Sequence, residues 1–304
     1  MRKGYSLTDG KPVETPEADS AIELYSNPTP EEKAELVARY GLDEHTLNSA
    51  LDPDEPARLE FEQDHVAVIF NRPKNYSAKD HFLFKVSSVG LFLFKAKLII
   101  VMSDDIPMFT GKMFRKSSSL QELFLKQIYS SIYHFLEHLR VINMISDELE
   151  SQINVSMENK SLLNLFSLEK SLVYYVNAIN SNGIVFEKLR SSGAKIAFSQ
   201  ECLELLEDII IENQQCSKQA EIYANILTGL MDARASIVNN NLNLLMKTLT
   251  IITLLIMAPT LVVSVFSMNV TIPLQHHPHA FWIILFLAVA PILIVTLLWR
   301  KKRW

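Results

Sequence analysis

TLTIITLLIMAPTLVVSVF at residues 248–266 and AFWIILFLAVAPILIVTLLW at residues 280–299 are the two stretches that decide the fold. No Asp, Glu, Lys or Arg occurs from Thr248 to Trp299, and a basic tail starts directly afterwards at Arg300. As a helix, each stretch is long enough to cross a hydrocarbon core of roughly 30 Å. We therefore predict two membrane-spanning helices joined by a loop at residues 267–279.

Charge is distributed unevenly along the 304 residues, whose net charge is −5. The first 247 residues hold 25 basic and 34 acidic residues, which leaves this part of the chain at −9. A neutral apolar stretch of this length excludes a fully soluble globular protein, and an acidic body argues against a nucleic-acid partner. Lys247 and the basic tail flank a loop without Lys or Arg, which predicts both termini in the cytoplasm of a multi-pass protein of the cell (inner) membrane.

The residues before the spans predict an α+β cytoplasmic domain. Thr29 is a predicted helix cap, and Gly41 is predicted to end that helix. Three runs rich in Val, Ile, Phe and Leu predict a small β-sheet: Val66–Phe70, His81–Phe94 with a break at Gly90, and Lys97–Met102.

The region after Pro107 is predicted to be helical, because no further proline occurs until Pro259. Apolar residues at spacings of three and four begin at Leu120, and a second run begins after a predicted cap at Ser199. That second run continues to Phe266 and would be about 100 Å long as one helix. The predicted organisation is an α/β part at 1–117, a helical hairpin at 118–198, a stalk helix at 199–247, spans at 248–266 and 280–299 around the loop at 267–279, and a tail at 300–304.

The first span differs from the second because its polar side chains share one helix face. Steps of three and four residues connect Asn243, Met246, Thr250, Thr253, Met257, Thr260 and Ser264, and towards the N-terminus Asn239, Ser236 and Asp232. We call this face the polar seam. Ser and Thr are common where membrane helices pack together, so helix packing is one interpretation. Alternatively the seam lines a water-filled path, which requires a ring of subunits because two spans cannot enclose one.

The end of the first span resembles a known family. VFSMNVTIP at residues 265–273 is similar to the CorA family of divalent-cation channels, in which Gly-Met-Asn ends the first of two C-terminal spans. Ser267 stands where that family has Gly. The likeness covers roughly residues 40–304. The similar positions are Asn243, Met246, Lys247, Leu249 and Thr250 at the pore entrance, Pro259 and Phe266 before the signature, the run LDPDEPARLEFEQDHVAVIF, and the basic tail.

This resemblance implies a funnel-shaped homopentameric channel that conducts Mg²⁺ and closes when Mg²⁺ binds its cytoplasmic domains. It implies a selectivity ring of Ser267, Met268 and Asn269, where neutral amide oxygens hold a hydrated ion without the tight binding of carboxylates. The pore-lining residues would be Asp232, Asn239, Asn243, Met246, Leu249, Thr250, Thr253, Met257, Thr260 and Ser264. Alignment from the signature places Asp208 at a regulatory metal site, with Asp104 or Asp105 as partner.

Two other functions are kept open. His276, His277 and His279 in the loop make Zn²⁺ or Co²⁺ an alternative transported ion. A membrane-tethered scaffold or sensor with a non-conducting hairpin is an alternative from a different class.

An enzyme is disfavoured, because the chain has no phosphate-binding glycine loop and no convincing nucleophile motif. His134-Phe135-Leu136-Glu137-His138 matches a zinc-binding spacing, but it lies on a predicted packing face, and packing is the favoured interpretation. Cys202 and Cys216 are predicted to be helix-packing residues and not ligands.

Overall fold

A computed structural model describes residues 1–16, 20–76, 82–155, 159–270, 273 and 276–302. His81, where the second strand is predicted to begin, and Arg303 of the basic tail lie outside these residues. The chain divides into two compact units, Met1–Met231 and Asp232–Trp304. The strands are β1 (Arg2–Thr8), β2 (Lys11–Thr15), β3 (Ile22–Ser26), β4 (Arg58–Phe61), β5 (His65–Pro73), β6 (Val86–Phe94) and β7 (Leu98–Met102). The helices are α1 (Pro30–Tyr40), α2 (Glu44–Ser49), α3 (Leu120–Val155), α4 (Asn159–Ser191), α5 (Gly193–Ile196), α6 (Gln200–Phe266) and α7 (Ala280–Lys302).

The first unit has the predicted α+β architecture, but its sheet is larger than predicted. Among the described residues, seven strands pair in the order β2-β1-β3-β7-β6-β5-β4. Strands β3 and β7 run parallel, with Ile22 opposite Leu98, and the other neighbours are antiparallel. The three strands predicted from sequence correspond to β5, β6 and β7 within a wider sheet, although β6 begins at Val86, so the predicted strand at residues 82–85 is wrong.

The N-terminal hairpin of β1 and β2 was not predicted. Its loop is Asp9-Gly10, with φ values of 50° and 73°, between the paired residues Thr8 and Lys11. Two-residue hairpin loops favour this geometry, and Asp-Gly is one of their strongest sequence signals. The signal was thus present in the sequence.

The predicted break at Gly90 is wrong, because β6 continues through it without interruption. Gly90 instead allows a close approach between layers: a Cβ atom there would lie 2.6 Å from the Cβ of Ala50 at the end of α2. A glycine inside a strand can permit such a close approach, and the sequence alone does not distinguish this role from a break in the strand.

Both faces of the sheet are covered, which explains why all five residues of β7 are buried. Alternate residues of β7 point to opposite faces. Leu98, Ile100 and Met102 pack in a core with residues of α3, α4 and α6. Ile99 and Val101 pack in a second core with residues of α1 and α2.

A buried carboxylate lies within this sheet, at Glu23 of β3. Its Oε1 accepts hydrogen bonds from Lys97 Nζ and Tyr40 Oη, each at 2.6 Å. Its Oε2 accepts from Arg2 Nη2 at 3.1 Å and Tyr25 Oη at 2.9 Å. Burial by itself would raise the pKa of Glu23, but the hydrogen bonds from Lys97, Tyr40 and Tyr25 outweigh it and the pKa is lowered. We call these five residues the Glu23 cluster.

The helix boundaries follow local signals. Thr29 caps α1 in a capping box with Glu32, and Gly41 ends it in the left-handed conformation, as predicted. The apolar pattern that starts at Leu120 forms α3 and α4, which pack against each other through contacts such as Phe135 with Tyr175. Ser199 Oγ accepts the backbone N–H of Cys202 at 3.2 Å at the start of α6, which confirms that cap.

The predicted role of the two cysteines is also confirmed. Cys202 and Cys216 are free and buried on α6. Burial raises the pKa of the Cys216 thiol to about 12, with a smaller contribution from Glu212. A thiol with so high a pKa stays protonated at neutral pH, which suits a packing residue.

The second unit contains the remainder of α6 and all of α7. These two helices are long and apolar enough to cross a membrane. Their apolar segments are the two stretches at 248–266 and 280–299, and the large apolar side chains on them are mostly exposed in the single chain.

Candidate functional site: the polar seam and its outer end

The polar seam lies on one uninterrupted helix, since α6 runs from Gln200 to Phe266. The proposed pore-lining side chains on it are all exposed in the single chain: Asp232, Asn239, Asn243, Met246, Leu249, Thr250, Thr253, Met257, Thr260 and Ser264. Leu249 lies beside the seam and does not belong to its three-four series. The exposed seam is therefore available to line a path or to contact another subunit.

Three threonine hydroxyls of the seam donate their protons to the helix itself. Thr250 Oγ1 donates to the Met246 carbonyl at 2.8 Å, Thr253 Oγ1 to the Leu249 carbonyl at 2.9 Å, and Thr260 Oγ1 to the Ile256 carbonyl at 2.6 Å. A hydroxyl has one proton and two lone pairs. With the proton used, each oxygen presents only lone pairs to its surroundings, and such a surface favours cations over anions.

Ser267 extends the end of α6 by a further turn. Its backbone N–H and its Oγ both donate to the Ser264 carbonyl, at 3.2 Å and 3.0 Å. None of residues 267–270 has a positive φ, so this backbone does not need the conformational freedom of glycine. Met268 and Asn269 follow and are exposed.

The acidic residues expected to bind a regulatory metal belong to no group of three or more possible ligands among the described residues. Asp208 is exposed on α6, and Asp105 is exposed after β7. Asp104 pairs with Lys74 Nζ at 3.2 Å, so a cation already neutralises it. Across the part of the chain that the structure describes, no three His, Cys, Asp or Glu side chains group as a metal site. A site using Asp208 would need a ligand from elsewhere, such as a second copy of the chain.

Comparison with known protein families identifies the family of this chain. The sequence model of the CorA-like Mg2+ transporter protein family matches residues 24–302, which is most of the chain. The chain belongs to this CorA-like family.

Individual relatives agree with this assignment. The CorA-like chain is 26% identical over 298 residues to the cobalt/magnesium transport protein CorA of Methanocaldococcus jannaschii, covering 93% of this chain and 90% of the relative. It is 21% identical to the protein of the same name from Thermotoga maritima, covering 99% and 90%. The complete structure of the M. jannaschii CorA magnesium transporter has the same fold, with a TM-score of 0.80 at 22% identity and coverage of 99% and 96%. Membership of a transporter family also fits the expectation that the chain is not an enzyme.

The two histidines of the His-x-x-Glu-His pattern pack in this CorA-like chain instead of gathering ligands. His138 Nδ1 lies 2.6 Å from Tyr175 Oη, and His134 Nδ1 lies 3.4 Å from Arg72 Nη2. Burial is the largest cause that lowers both pKa values, to about 3 for His134 and about 4 for His138, and Arg72 adds to each effect. A guanidinium next to both imidazoles opposes the binding of a metal cation.

Two of the loop histidines, His277 and His279, contact each other. The backbone N–H of His279 donates to His277 Nδ1 at 3.2 Å. Thr271, Ile272, Leu274 and Gln275 of the same loop lie outside the described residues.

Sequence reasoning missed Arg72, which is 62 residues from His134, and no local pattern marks it.

Proposed function

We propose that this CorA-like chain is a homopentameric channel that conducts Mg²⁺ down its electrochemical gradient. The observation that carries the proposal is the exposed polar seam of α6, which runs along one helix to Ser264, shortly before Asn269, in a chain of this family. Asn269 from each copy would form the selectivity ring with Ser267 and Met268. The seam's oxygen lone pairs suit a hard cation, and Mg²⁺ prefers oxygen and keeps part of its water shell.

Assembly as a pentamer is supported by apolar surface on the part of α6 in the first unit. Ile211, Ile222 and Ile226 are 44%, 54% and 49% exposed there. A stripe of large apolar side chains on one helix indicates a protein interface. The ring would surround the polar seam, with Met246, Leu249 and Met257 as apolar constrictions able to gate by dewetting.

The orientation in the membrane is part of the same proposal. Lys247 precedes the first span, and Arg300 and Lys301 follow the second, so the positive-inside rule puts both termini in the cytoplasm of the cell (inner) membrane. Trp282 and Trp299, near opposite ends of the second span, are exposed and suit the two interfaces.

A flux measurement tests the transported ion. The full chain in liposomes should take up Mg²⁺, and Co²⁺ should compete, as the name of the M. jannaschii relative suggests. Zn²⁺ uptake without Mg²⁺ uptake would instead support the zinc alternative and the histidine loop. No flux of any of these ions would contradict the channel and favour the scaffold or sensor alternative.

Regulation by internal Mg²⁺ is proposed at Asp208, with Asp105 or Asp104 of a neighbouring copy as partner. Carboxylates are the hard oxygen ligands that Mg²⁺ prefers. Asp105 is the better candidate, because Asp104 is already paired with Lys74.

Replacing Asp208 with Asn is expected to weaken inhibition, because a divalent-cation site loses one negative ligand. The internal Mg²⁺ concentration that halves the flux should rise on the order of tenfold. Glu221→Gln, which changes a partly exposed carboxylate that pairs with Lys218 on the same helix, is the matched control and should leave this concentration unchanged. Equal inhibition of Asp208→Asn and wild type would remove Asp208 from the sensor.

A further inference from the structure

A cavity in the first unit has no role in the proposed channel. It lies between helix α3 and the segment that follows β7, and its volume is about 480 Å³. This is within the range of small-molecule sites, roughly 300–1,000 Å³. One part of its wall is apolar and aromatic, with Met108, Phe109 and Phe114. The other part is polar.

Arg72 of β5 contributes a positive charge to the polar wall. Its guanidinium makes only long contacts with neutral groups, from Nε to the Pro73 carbonyl and from Nη2 to His134 Nδ1, each at 3.4 Å. Its Nη1 has no hydrogen-bond partner among the described residues. Burial lowers the pKa of Arg72 to about 10, with Asp104 opposing this effect. Charges removed from water are normally paired, and among the described residues no carboxylate contacts this one.

Asp104 and Glu137 are the carboxylates to consider near Arg72. Asp104 is held by Lys74 at 3.2 Å, so it is not free to neutralise the guanidinium. Glu137 lines the cavity but is exposed to solvent on α3. His134, with its lowered pKa, is neutral at physiological pH. The positive charge of Arg72 is therefore offset only at a distance by Asp104, and no described carboxylate contacts it directly.

Gln127 of α3 is a second polar side chain in the same wall, and its hydrogen bonding is incomplete. It is 5% exposed, and its Oε1 has no hydrogen-bond partner. Its Nε2 contacts only the sulfur of Met108, at 3.8 Å. Buried amides are normally satisfied on both sides, and rotation of this amide by half a turn exchanges its donor and acceptor. A bound molecule with oxygen atoms would supply the missing hydrogen-bond partner of this amide.

We propose that this cavity binds a small organic anion, with a phosphate or carboxylate group on Arg72 and an apolar body against Phe109 and Phe114. The planar guanidinium offers several donors in the geometry that phosphate and carboxylate accept. The aromatic wall accommodates an apolar group that inorganic anions lack. This inference does not rest on the proposed transport function, because it uses neither the seam nor Asp208.

Calorimetric titration of the full chain in detergent, in metal-free buffer, tests the proposal with three probes. Phenyl phosphate carries both features, inorganic phosphate only the charge, and phenol only the ring. Phenyl phosphate should bind about tenfold or more tighter than either of the others. The proposal would be overturned if phenyl phosphate did not bind, or if it bound no more tightly than inorganic phosphate.

Variants identify the site. Arg72→Gln removes the charge, and Gln127→Glu keeps the side-chain shape but adds a repelling carboxylate. Each should weaken phenyl phosphate binding at least about tenfold. Arg39→Gln removes an exposed arginine on α1 and should bind like wild type. Thermal unfolding verifies that each variant is folded, and Gln127→Glu decides the matter if Arg72→Gln is not. Wild-type affinity in a folded Arg72→Gln or Gln127→Glu protein would contradict the site.

Discussion

Replacing Asn269 with Ala is expected to reduce Mg²⁺ uptake into liposomes by about tenfold or more while the oligomer stays intact. The physical reason is that, in the proposed channel, each subunit loses an amide oxygen at the filter end of the seam, where a hydrated ion would exchange water contacts for protein contacts. Ala offers no oxygen there. Because Asn269 is exposed and follows the last turn of α6, the change removes no packing in the single chain.

Asn240→Ala is the matched control for this experiment. It makes the same amide-to-methyl change on α6, at an exposed position next to the seam residue Asn239. Its uptake should remain close to that of wild type, and size-exclusion chromatography should give the same oligomer for all three proteins. Normal Mg²⁺ uptake by Asn269→Ala would exclude this residue as the filter, and equal losses in both variants would indicate a general effect on the helix.

Replacing Glu23 with Gln is expected to lower the free energy of unfolding by about 3–5 kcal/mol, the cost of breaking a buried ion pair on one side. Glu23 is fully buried, whereas Lys97 and Arg2 have side chains 24% and 12% exposed. The neutral amide removes the counter-ion of Lys97, whereas Arg2 keeps its pair with Glu35 at 3.1 Å. Glu35→Gln is the control, because that carboxylate is 42% exposed and pairs with Arg2 and Arg39 at the surface. It should cost at most about 1 kcal/mol.

The pH dependence of stability gives the same prediction a second measurement. The pKa of Glu23 is lower in the folded protein than its ordinary value of 4.5. The contribution of Glu23 to the free energy of unfolding is therefore fully present above about pH 4.5. It is lost as the pH falls through the lower pKa of the folded protein. Denaturant unfolding followed by circular dichroism should show less acid destabilisation in Glu23→Gln than in wild type. Parallel pH profiles, or a loss below about 1 kcal/mol at neutral pH, would contradict the role of the Glu23 cluster.

Sequence reasoning succeeded where the determining signal was local or periodic. The absence of charge from Thr248 to Trp299 predicted two spanning helices, and the absence of breakers predicted the extent of α6. The cap at Thr29 and the stop at Gly41 were likewise short-range signals. Each of these depends on residues within a few turns of one another, which a single sequence contains in full.

The features that were missed depend on contacts between distant residues. Gly90 reads as a breaker unless the approach of Ala50 is known. The cavity joins Arg72 of β5 to Gln127 and His134 of α3, and only the fold brings them together. The Asp9-Gly10 hairpin is different, because its signal was local but the strands beside it are short and largely polar. The metal sites proposed between subunits remain predictions for the same reason: they depend on another copy of the chain.

The parallel pairing of β3 with β7 has a consequence for the order in which the protein folds during synthesis. β1 and β2 can pair as soon as the ribosome has released them, because their loop has two residues. β3 must wait for β7, since Ile22 pairs with Leu98 and closing a loop of that size is entropically costly. Until then, the apolar edge of β3 has no neighbour on one side. During this interval, which precedes the synthesis of any spanning helix, the unpaired edge of β3 is open to misassociation and to chaperones.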